Sequence, residues 1–303
     1  MPLVSLLNGL WDPVASRLEN WIVSFAAKLP VETDWTQSIQ GSWYVHPRQH
    51  AIEIVFLSSA FVCASAYFLR RALRPGTLNY KLLSNFSPPT PPSLTEKVMV
   101  GSLIASLGLT LTHKIMRDSV LFMLQPCHMS ALLLILTMTF PDKRSPIPHL
   151  FFNIYLHTQW GAIGALVFPD LRDHYLIGET FNFFAEHILI LLAPIYMIYS
   201  NRYLVLPTSR DLALLSFSIY GFFHSPVLHF FALKSGLNLN YLFTPPPIKL
   251  LIQLGPFYRI TLYGTALVAM FVTRYGLVNG IMAVLPRKEA PAPKKISAPK
   301  KIQ

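Results

Sequence analysis

Long apolar stretches separated by short polar segments recur along most of this chain. Apolar residues occupy all faces of these stretches and do not form a single stripe, which is typical of helices within a membrane. The pattern therefore predicts an all-α, polytopic membrane helical bundle. Seven stretches are candidate spans: residues 51–69, 98–113, 119–140, 150–167, 181–199, 212–231 and 260–283. The second is short for a crossing, so six spans are the alternative.

The segments outside these spans have different patterns. Residues 1–45 place apolar positions at helical spacing with charges interspersed and lack the features of a signal peptide, so they predict an amphipathic helix in the membrane interface. Residues 46–285 form the predicted transmembrane domain, and its proline-rich segment 84–93 predicts a poorly ordered loop. The basic tail, residues 286–303, has no apolar periodicity and is predicted to be disordered.

Composition supports the membrane assignment and narrows the partners. Of 303 residues, 52% are hydrophobic and 13% are charged, which is about half the charged share of a soluble domain. The net charge of +11 could suggest nucleic acid, but the basic residues lie between apolar stretches and in the tail. This distribution is typical of membrane orientation and contact with anionic lipid, so no nucleic-acid partner is expected.

The positions of the basic residues also predict the topology and location. With seven spans, most Lys and Arg residues fall on the side of the C-terminal tail, which predicts an external N-terminus and a cytosolic C-terminus. The chain ends in Lys300-Lys301-Ile302-Gln303, which looks like a dilysine retrieval signal of endoplasmic reticulum membrane proteins. We therefore expect a multi-pass protein of the endoplasmic reticulum membrane.

Polar side chains inside the predicted spans are the candidates for chemistry, because a charge at the membrane centre costs roughly 2.5 to 3.5 kcal/mol. Four spans each contain a histidine at such a position, and one of these also contains a cysteine. They are Cys127 and His128 in the third span, His157 in the fourth, His187 in the fifth and His224 in the sixth. Each could instead serve in packing or interhelical hydrogen bonding.

Cys127 is the candidate nucleophile. Pro126 removes a backbone donor and is expected to bend the helix just before the thiol, which could open a cavity. A reactive thiol in apolar surroundings needs a base or a cation nearby. The adjacent His128 is a poor choice because neighbouring helical residues point about 100° apart. The base should therefore come from another helix.

His187 ranks first among the histidines of other helices, with His157 and His224 as alternatives. Glu186 and Glu179 lie close to His187 in the chain, although Glu186 is adjacent and Glu179 is two turns away, so neither is secure as an orienting carboxylate. No repeated histidine motif points to a metal, and no cofactor is predicted.

Two more polar residues lie between the last two spans. The amide of Asn238 could donate to a developing oxyanion, and the guanidinium of Arg259 could hold a phosphate. The alternative for Asn238 is a capped turn, and for Arg259 a side chain that extends to the membrane surface.

Several separate motifs resemble one known family. They are "LQPCHM", "HTQWGAIGALVFP", "PIYMIY", "FHSPVL", "LNLNYL" and "GPFYRI", in that order, and the resemblance covers residues 114–265. Together they are similar to the transmembrane protein 164 family of the endoplasmic reticulum. The first 110 or so residues carry little of this resemblance, so they are expected to be peripheral to the shared chemistry.

The resemblance implies a cysteine-dependent acyltransferase that moves a polyunsaturated acyl chain from phosphatidylcholine to lyso ether phospholipids without acyl-CoA. The cysteine of the family's Pro-Cys-His motif corresponds to Cys127, and the matching blocks also contain His157, His187, His224, Asn238 and Arg259.

The leading hypothesis is therefore an acyltransferase that forms a Cys127 thioester. A histidine, His187 first, then activates the acceptor hydroxyl, and the substrates are a phospholipid and a lysophospholipid. His128, Glu179, Asn238 and Arg259 are the candidate substrate-binding residues. The alternatives are a membrane lipid hydrolase, and a non-enzymatic lipid-binding protein in which the polar residues only join helices.

Overall fold

The computed structural model describes residues 2–285, with side chains described from Trp11 onward. The predicted disordered tail and its dilysine sequence lie outside the described residues. Residues 2–285 are helical apart from connecting segments and one antiparallel bridge between Gln40 and Leu237. The prediction of an all-α membrane protein is confirmed.

Thirteen α-helices follow one another along the described chain. They are α1 Pro2–Phe25, α2 Pro47–Ala72, α3 Leu78–Asn85, α4 Leu94–Met116, α5 Pro126–Thr139, α6 Pro146–Thr158, α7 Trp160–Val167, α8 Glu179–Ser200, α9 Arg210–Phe222, α10 His229–Ser235, α11 Lys249–Gln253, α12 Tyr258–Phe271 and α13 Asn279–Val284. Short 3₁₀ turns cover Val120–Leu124, Leu239–Tyr241 and Gly255–Phe257, and π-helical turns cover Phe223–Leu228 and Val272–Val278.

Five helical segments in the described part of the chain are long and apolar enough to cross a membrane. They are Pro47–Ala72, Leu94–Met116, Glu179–Ser200, Arg210–Ser235 and Gly255–Val284. The predicted count of seven is not confirmed. The third predicted span contains α5, whose 14 residues extend only about 21 Å, less than the roughly 30 Å hydrocarbon core. The fourth predicted span is divided into α6 and α7 at Gln159.

Pro126 acts differently from the expected bend. It is the first residue of α5, and the preceding segment Val120–Leu124 is a separate 3₁₀ turn. A proline at this position loses nothing, because the first N–H groups of a helix have no intrahelical acceptor. Pro126 therefore starts a helix, and Cys127 lies in the first turn of that helix.

Two apolar clusters hold the helices together. One apolar cluster joins α4, α5, α6 and α8 through residues such as Leu103, Leu134 and Ile190. A second cluster joins α1, α2 and α10 to the segment after α10 and includes Ile22 and Phe243. The loop at residues 86–93 makes specific contacts, since the Phe86 ring lies 4.4 Å from that of His149 and Thr90 accepts a hydrogen bond from Arg202.

Candidate active site

A cavity of about 720 Å³ lies among α4, α5, α7, α8, α9 and α12. Most of its lining is apolar, but titratable side chains also border it, among them Cys127, His128, Glu186, His187 and His224. A pocket of this size and composition is typical of small-molecule sites. Cys127 is partly exposed to the cavity, whereas the imidazole-bearing residues are buried.

Cys127 is the second residue of α5, directly after Pro126. The first regular hydrogen bond of this helix runs from the Met129 N–H to the Gln125 carbonyl, over 3.0 Å. The backbone N–H groups of Cys127 and His128 thus precede the regular ladder and have no partner among the described residues. They carry the positive end of the helix dipole and lie next to the thiol. This geometry can stabilise negative charge at the sulfur or at a substrate oxygen.

His187 brings an imidazole from α8 to the same thiol. Its Nδ1 donates to the Phe183 carbonyl over 2.7 Å, so the neutral ring has Nε2 as its unprotonated nitrogen. Nε2 is buried and has no fully formed hydrogen bond, although the ring interacts with Cys127. Nε2 is therefore free to accept a proton within the cavity. Catalytic hydrogen bonds are often loose without substrate and tighten when it binds.

His128 interacts with the thiol as well and belongs to a buried polar network between helices. Its Nδ1 lies 2.6 Å from one oxygen of Glu186, and the Thr110 hydroxyl donates to the other oxygen over 2.6 Å. The amide of Asn182 donates to the Thr110 hydroxyl over 2.8 Å. The network joins α4, α5 and α8, so it holds His128 in a defined position.

His128 follows Cys127 directly in α5 and was judged a poor base because neighbouring helical side chains diverge. Both side chains border the cavity and interact with each other. Neighbouring helical side chains diverge by about 100°, but two such side chains at the start of a helix can still line the same wide cavity. Sequence reasoning could not assign a partner to Glu186. In the structure Glu186 orients His128, which lies on another helix, and not His187, which follows Glu186 in the chain.

The other two predicted catalytic histidines lie elsewhere. His224, in the π-helical turn, borders the cavity and is 2.6 Å from the Tyr263 hydroxyl through its Nδ1. His157 is fully buried in α6 and does not line the cavity. Its Nδ1 donates to the Asn153 carbonyl over 2.8 Å, and the Ser216 hydroxyl lies 3.2 Å away. The structure thus brings His187 and His128 to Cys127, but not His157.

Asn238 is satisfied within its own turn. Its amide donates to the Thr244 hydroxyl over 2.5 Å, and its oxygen accepts from the Phe243 and Thr244 N–H groups over 3.0 and 3.2 Å. This is the capped turn considered as the alternative, and it leaves no amide donor directed at a substrate oxygen.

Arg259 is also engaged by the protein. Its guanidinium lies 2.7 Å from Glu53 and 2.7 Å from His50, and it donates to the Leu242 carbonyl over 3.0 Å. Although Arg259 borders the cavity, these contacts direct its terminal nitrogens to α2 and the segment after α10. The guanidinium of Arg259 is thus already paired with the buried Glu53, so a substrate phosphate would have to compete with that carboxylate.

Glu179 lies at one end of the cavity, at the start of α8. It forms a salt bridge with Arg117, and the Lys114 ammonium is 3.9 Å from the same oxygen. Sequence reasoning missed both cations as site residues, because basic residues at the end of α4 are what the helix dipole alone would favour. Only the three-dimensional contacts connect them to the cavity.

A loop between α7 and α8 covers part of the same end of the cavity. Asp170 accepts hydrogen bonds from Arg172 over 2.6 and 2.8 Å and from the Tyr241 hydroxyl over 2.9 Å. Burial raises the pKa of Asp170, but the hydrogen bonds from Arg172 and Tyr241 outweigh it and lower the pKa below its usual value. Arg172 also donates to the Trp35 and Gln37 carbonyls. These contacts tie the loop to the N-terminal part of the chain.

The sequence of this chain is similar to one protein family and to one curated relative. A model described as the TMEM164 family matches residues 44–275. The transmembrane protein 164 homolog of Dictyostelium discoideum is 30% identical over 211 residues, which cover 68% of this chain and 74% of that protein. No solved structure matches the chain. The family match begins at residue 44, so the likeness extends over α2 and α3, which lie before the predicted limits of 114–265.

Proposed function

We propose, from the premise that this chain belongs to the TMEM164 family of membrane proteins, that it is a phospholipid acyltransferase whose nucleophile is Cys127. One observation carries the proposal. The Cys127 thiol lies at a helix N-terminus and borders a largely apolar cavity, which is also lined by His187, a buried histidine whose unprotonated Nε2 has no other hydrogen-bond partner.

The first half of the reaction transfers the acyl chain to the protein. His187 Nε2 takes the proton from the Cys127 thiol, and the resulting thiolate attacks the ester carbonyl carbon of the donor phospholipid. The N–H groups of Cys127 and His128 stabilise the developing oxyanion. The ester C–O bond breaks, the lysophospholipid leaves with the proton from His187, and a Cys127 thioester remains.

The second half transfers the chain to the acceptor. His187 removes the proton of the acceptor lysophospholipid hydroxyl, whose oxygen attacks the thioester. The C–S bond breaks and the sulfur regains a proton from His187. The apolar lining supports transfer over hydrolysis, because it excludes water from the thioester while admitting acyl chains. His128, held by Glu186, positions the sulfur and the oxyanion donors.

The proposal also includes the cellular setting. Lyso ether phospholipids are the proposed acceptors, and the endoplasmic reticulum membrane with a cytosolic C-terminus is the proposed location. The distribution of basic residues supports the cytosolic C-terminus.

Reconstitution with defined lipids tests the function. Purified protein in liposomes receives a phosphatidylcholine with an isotopically labelled acyl chain and a lyso ether phospholipid, and mass spectrometry follows both the lipids and the intact protein. We expect labelled acceptor lipid and a Cys127-bound acyl group, both lost in Cys127→Ala. The matched control is Cys63→Ser, which changes the chain's other cysteine on the exposed surface of α2 and should retain both signals.

Two results would change the conclusion. Full acyl transfer by both Cys127→Ala and Cys127→Ser would eliminate the nucleophile. Release of labelled fatty acid without labelled acceptor, still dependent on Cys127, would identify a hydrolase of the same architecture.

A further inference from the structure

Two cations at the C-terminal end of α4 border the cavity that contains Cys127. Lys114 and Arg117 are three residues apart, so they lie on the same face of this helical end. The Lys114 side chain is 16% exposed and that of Arg117 is 2% exposed. Cations near a helix C-terminus interact favourably with the dipole, but that effect does not explain why both face a cavity.

These two cations share one carboxylate. Glu179 forms a salt bridge with Arg117, and it also accepts from the N–H groups of Tyr175 and Leu176 over 3.3 Å each. Lys114 lies 3.9 Å from Glu179, which is too far for a hydrogen bond. Its other close partner is the face of the Phe122 ring, at 5.7 Å. Among the described residues, no acceptor forms a hydrogen bond with the Lys114 ammonium.

Arg117 has an unfilled donor too. Its Nε is buried and has no hydrogen-bond partner, while its guanidinium lies 5.0 Å from the Tyr175 ring centre. Buried charged donors without acceptors cost free energy, and a bound anion would supply the missing acceptors.

The other acidic groups at this end of the cavity are held by other donors. Asp173 also borders the cavity, but its carboxylate accepts from both the N–H and the hydroxyl of Ser38. Asp170 is held by Arg172 and Tyr241. Neither makes a hydrogen bond to Lys114, so the ammonium is available to a ligand in the cavity.

We propose that Lys114 and Arg117 form a subsite for the phosphodiester of the glycerophospholipid whose ester reacts at Cys127. The assignment rests on the proposed function and adds the group that recognises the headgroup. Lys114 and Cys127 border the same cavity, so a ligand in that cavity can contact both side chains. The phosphate and the ester carbonyl of a glycerophospholipid are separated by only the glycerol carbons. Holding the phosphate at Lys114 therefore directs the ester towards the sulfur and selects against uncharged glycerolipids.

A binding assay that needs no catalysis tests the subsite. In a Cys63→Ser background, Cys127 is the single thiol, and its alkylation by N-ethylmaleimide reports access to the cavity. The protecting probe is hexadecylphosphocholine, a phosphodiester that has no carboxylic ester for Cys127 to cleave. Hexadecylglycerol is the uncharged probe, and inorganic phosphate is the probe without a lipid chain.

We expect Lys114→Gln to raise the hexadecylphosphocholine concentration for half-protection by about tenfold or more, the size of one charge-assisted hydrogen bond. Lys114→Arg should restore most of the protection. The control Lys97→Gln, at an exposed position of the same helix, should leave it unchanged. Protection by hexadecylglycerol should be the same in all variants, which also shows that each is folded.

Kinetics separate this inference from the proposed function. With a phospholipid donor, Lys114→Gln should raise KM by about tenfold and change kcat much less. Unchanged half-protection and KM in Lys114→Gln would overturn the subsite even if acyl transfer requires Cys127. Protection that depends on Lys114, in a protein that transfers no acyl chain, would instead support the anion-binding site and refute the proposed acyltransferase activity.

Two further results would also overturn the assignment. Protection by inorganic phosphate as strong as that by hexadecylphosphocholine would exclude a lipid headgroup as the preferred ligand. A Cys127 that resists alkylation in the absence of lipid would mean that the cavity is closed to both probes.

Discussion

Replacing Glu186 with glutamine tests whether the buried network positions His128 for the reaction at Cys127. Glu186 is 1% exposed and accepts from Thr110 on α4 and from His128 on α5, each over 2.6 Å. Glutamine keeps the size and one acceptor oxygen but removes the negative charge and turns the other oxygen into a donor. One of the two interhelical contacts therefore loses its acceptor, and the other loses its charge assistance.

The expected magnitude follows from these two contacts. Interhelical hydrogen bonds in membrane proteins contribute about 0.6 kcal/mol on average and up to about 1.7 kcal/mol. Losing or weakening both should lower the free energy of unfolding by about 1 to 3 kcal/mol. If the same interactions hold His128 in place in the transition state, the rate should fall by about 10- to 100-fold, since each 1.4 kcal/mol is tenfold.

The matched control is Glu96→Gln, near the other end of α4. Glu96 is 2% exposed and accepts from Arg202 over 2.7 Å and from Tyr203 over 2.5 Å, so the structural loss should be similar. It lies about 20 Å along the helix from Thr110 and does not border the Cys127 cavity. We expect Glu96→Gln to destabilise the protein and to leave the rate per folded molecule unchanged.

The assay combines thermal unfolding in detergent with the single-turnover rate of Cys127 acylation, divided by the folded fraction. Only Glu186→Gln should lower the corrected rate. Equal corrected rates in wild type, Glu186→Gln and Glu96→Gln would refute the reasoning, because the network would then serve stability alone.

Three further predictions concern the base, the loop and the packing. His187→Gln should slow Cys127 acylation by about 10²- to 10⁴-fold in single-turnover kinetics, and an unchanged rate would exclude His187 as the base. Asp170→Asn should speed hydrogen exchange in the loop between α7 and α8 at pH 7. Because the pKa of Asp170 is lowered, the wild type should keep this stabilisation at neutral pH and lose it only below about pH 4. Equal exchange in both proteins at pH 7 would contradict the assigned contacts. Gly221→Ala should lower the free energy of unfolding by about 1 to 3 kcal/mol, because its Cβ would clash with the buried Phe61 ring. Gly108→Ala, with open space around the new Cβ, should be neutral or stabilising in the same thermal-unfolding measurement.

Sequence pattern was sufficient for the class of protein and for the family. Long stretches that are apolar on all faces and recur along a chain with few charges are typical of helices in a membrane, where each helix satisfies its own backbone polar groups. The number of spans did not follow from the pattern, since apolar composition does not distinguish a full crossing from the short α5 or from the divided α6 and α7. The "LQPCHM" motif, which carries part of the family resemblance, contains residues that line the cavity.

Only the tertiary structure decided which polar groups meet. Sequence reasoning could select Cys127 as a polar group in an apolar segment, and it ranked His187 first among the histidines because Glu179 and Glu186 lie near it in the chain. It could not pair Glu186 with His128, or direct Arg259 to Glu53, since these contacts join residues that are far apart in the chain. The physical reason is that local periodicity determines where a helix forms and which face is apolar, whereas the packing of several helices determines which side chains share a buried space.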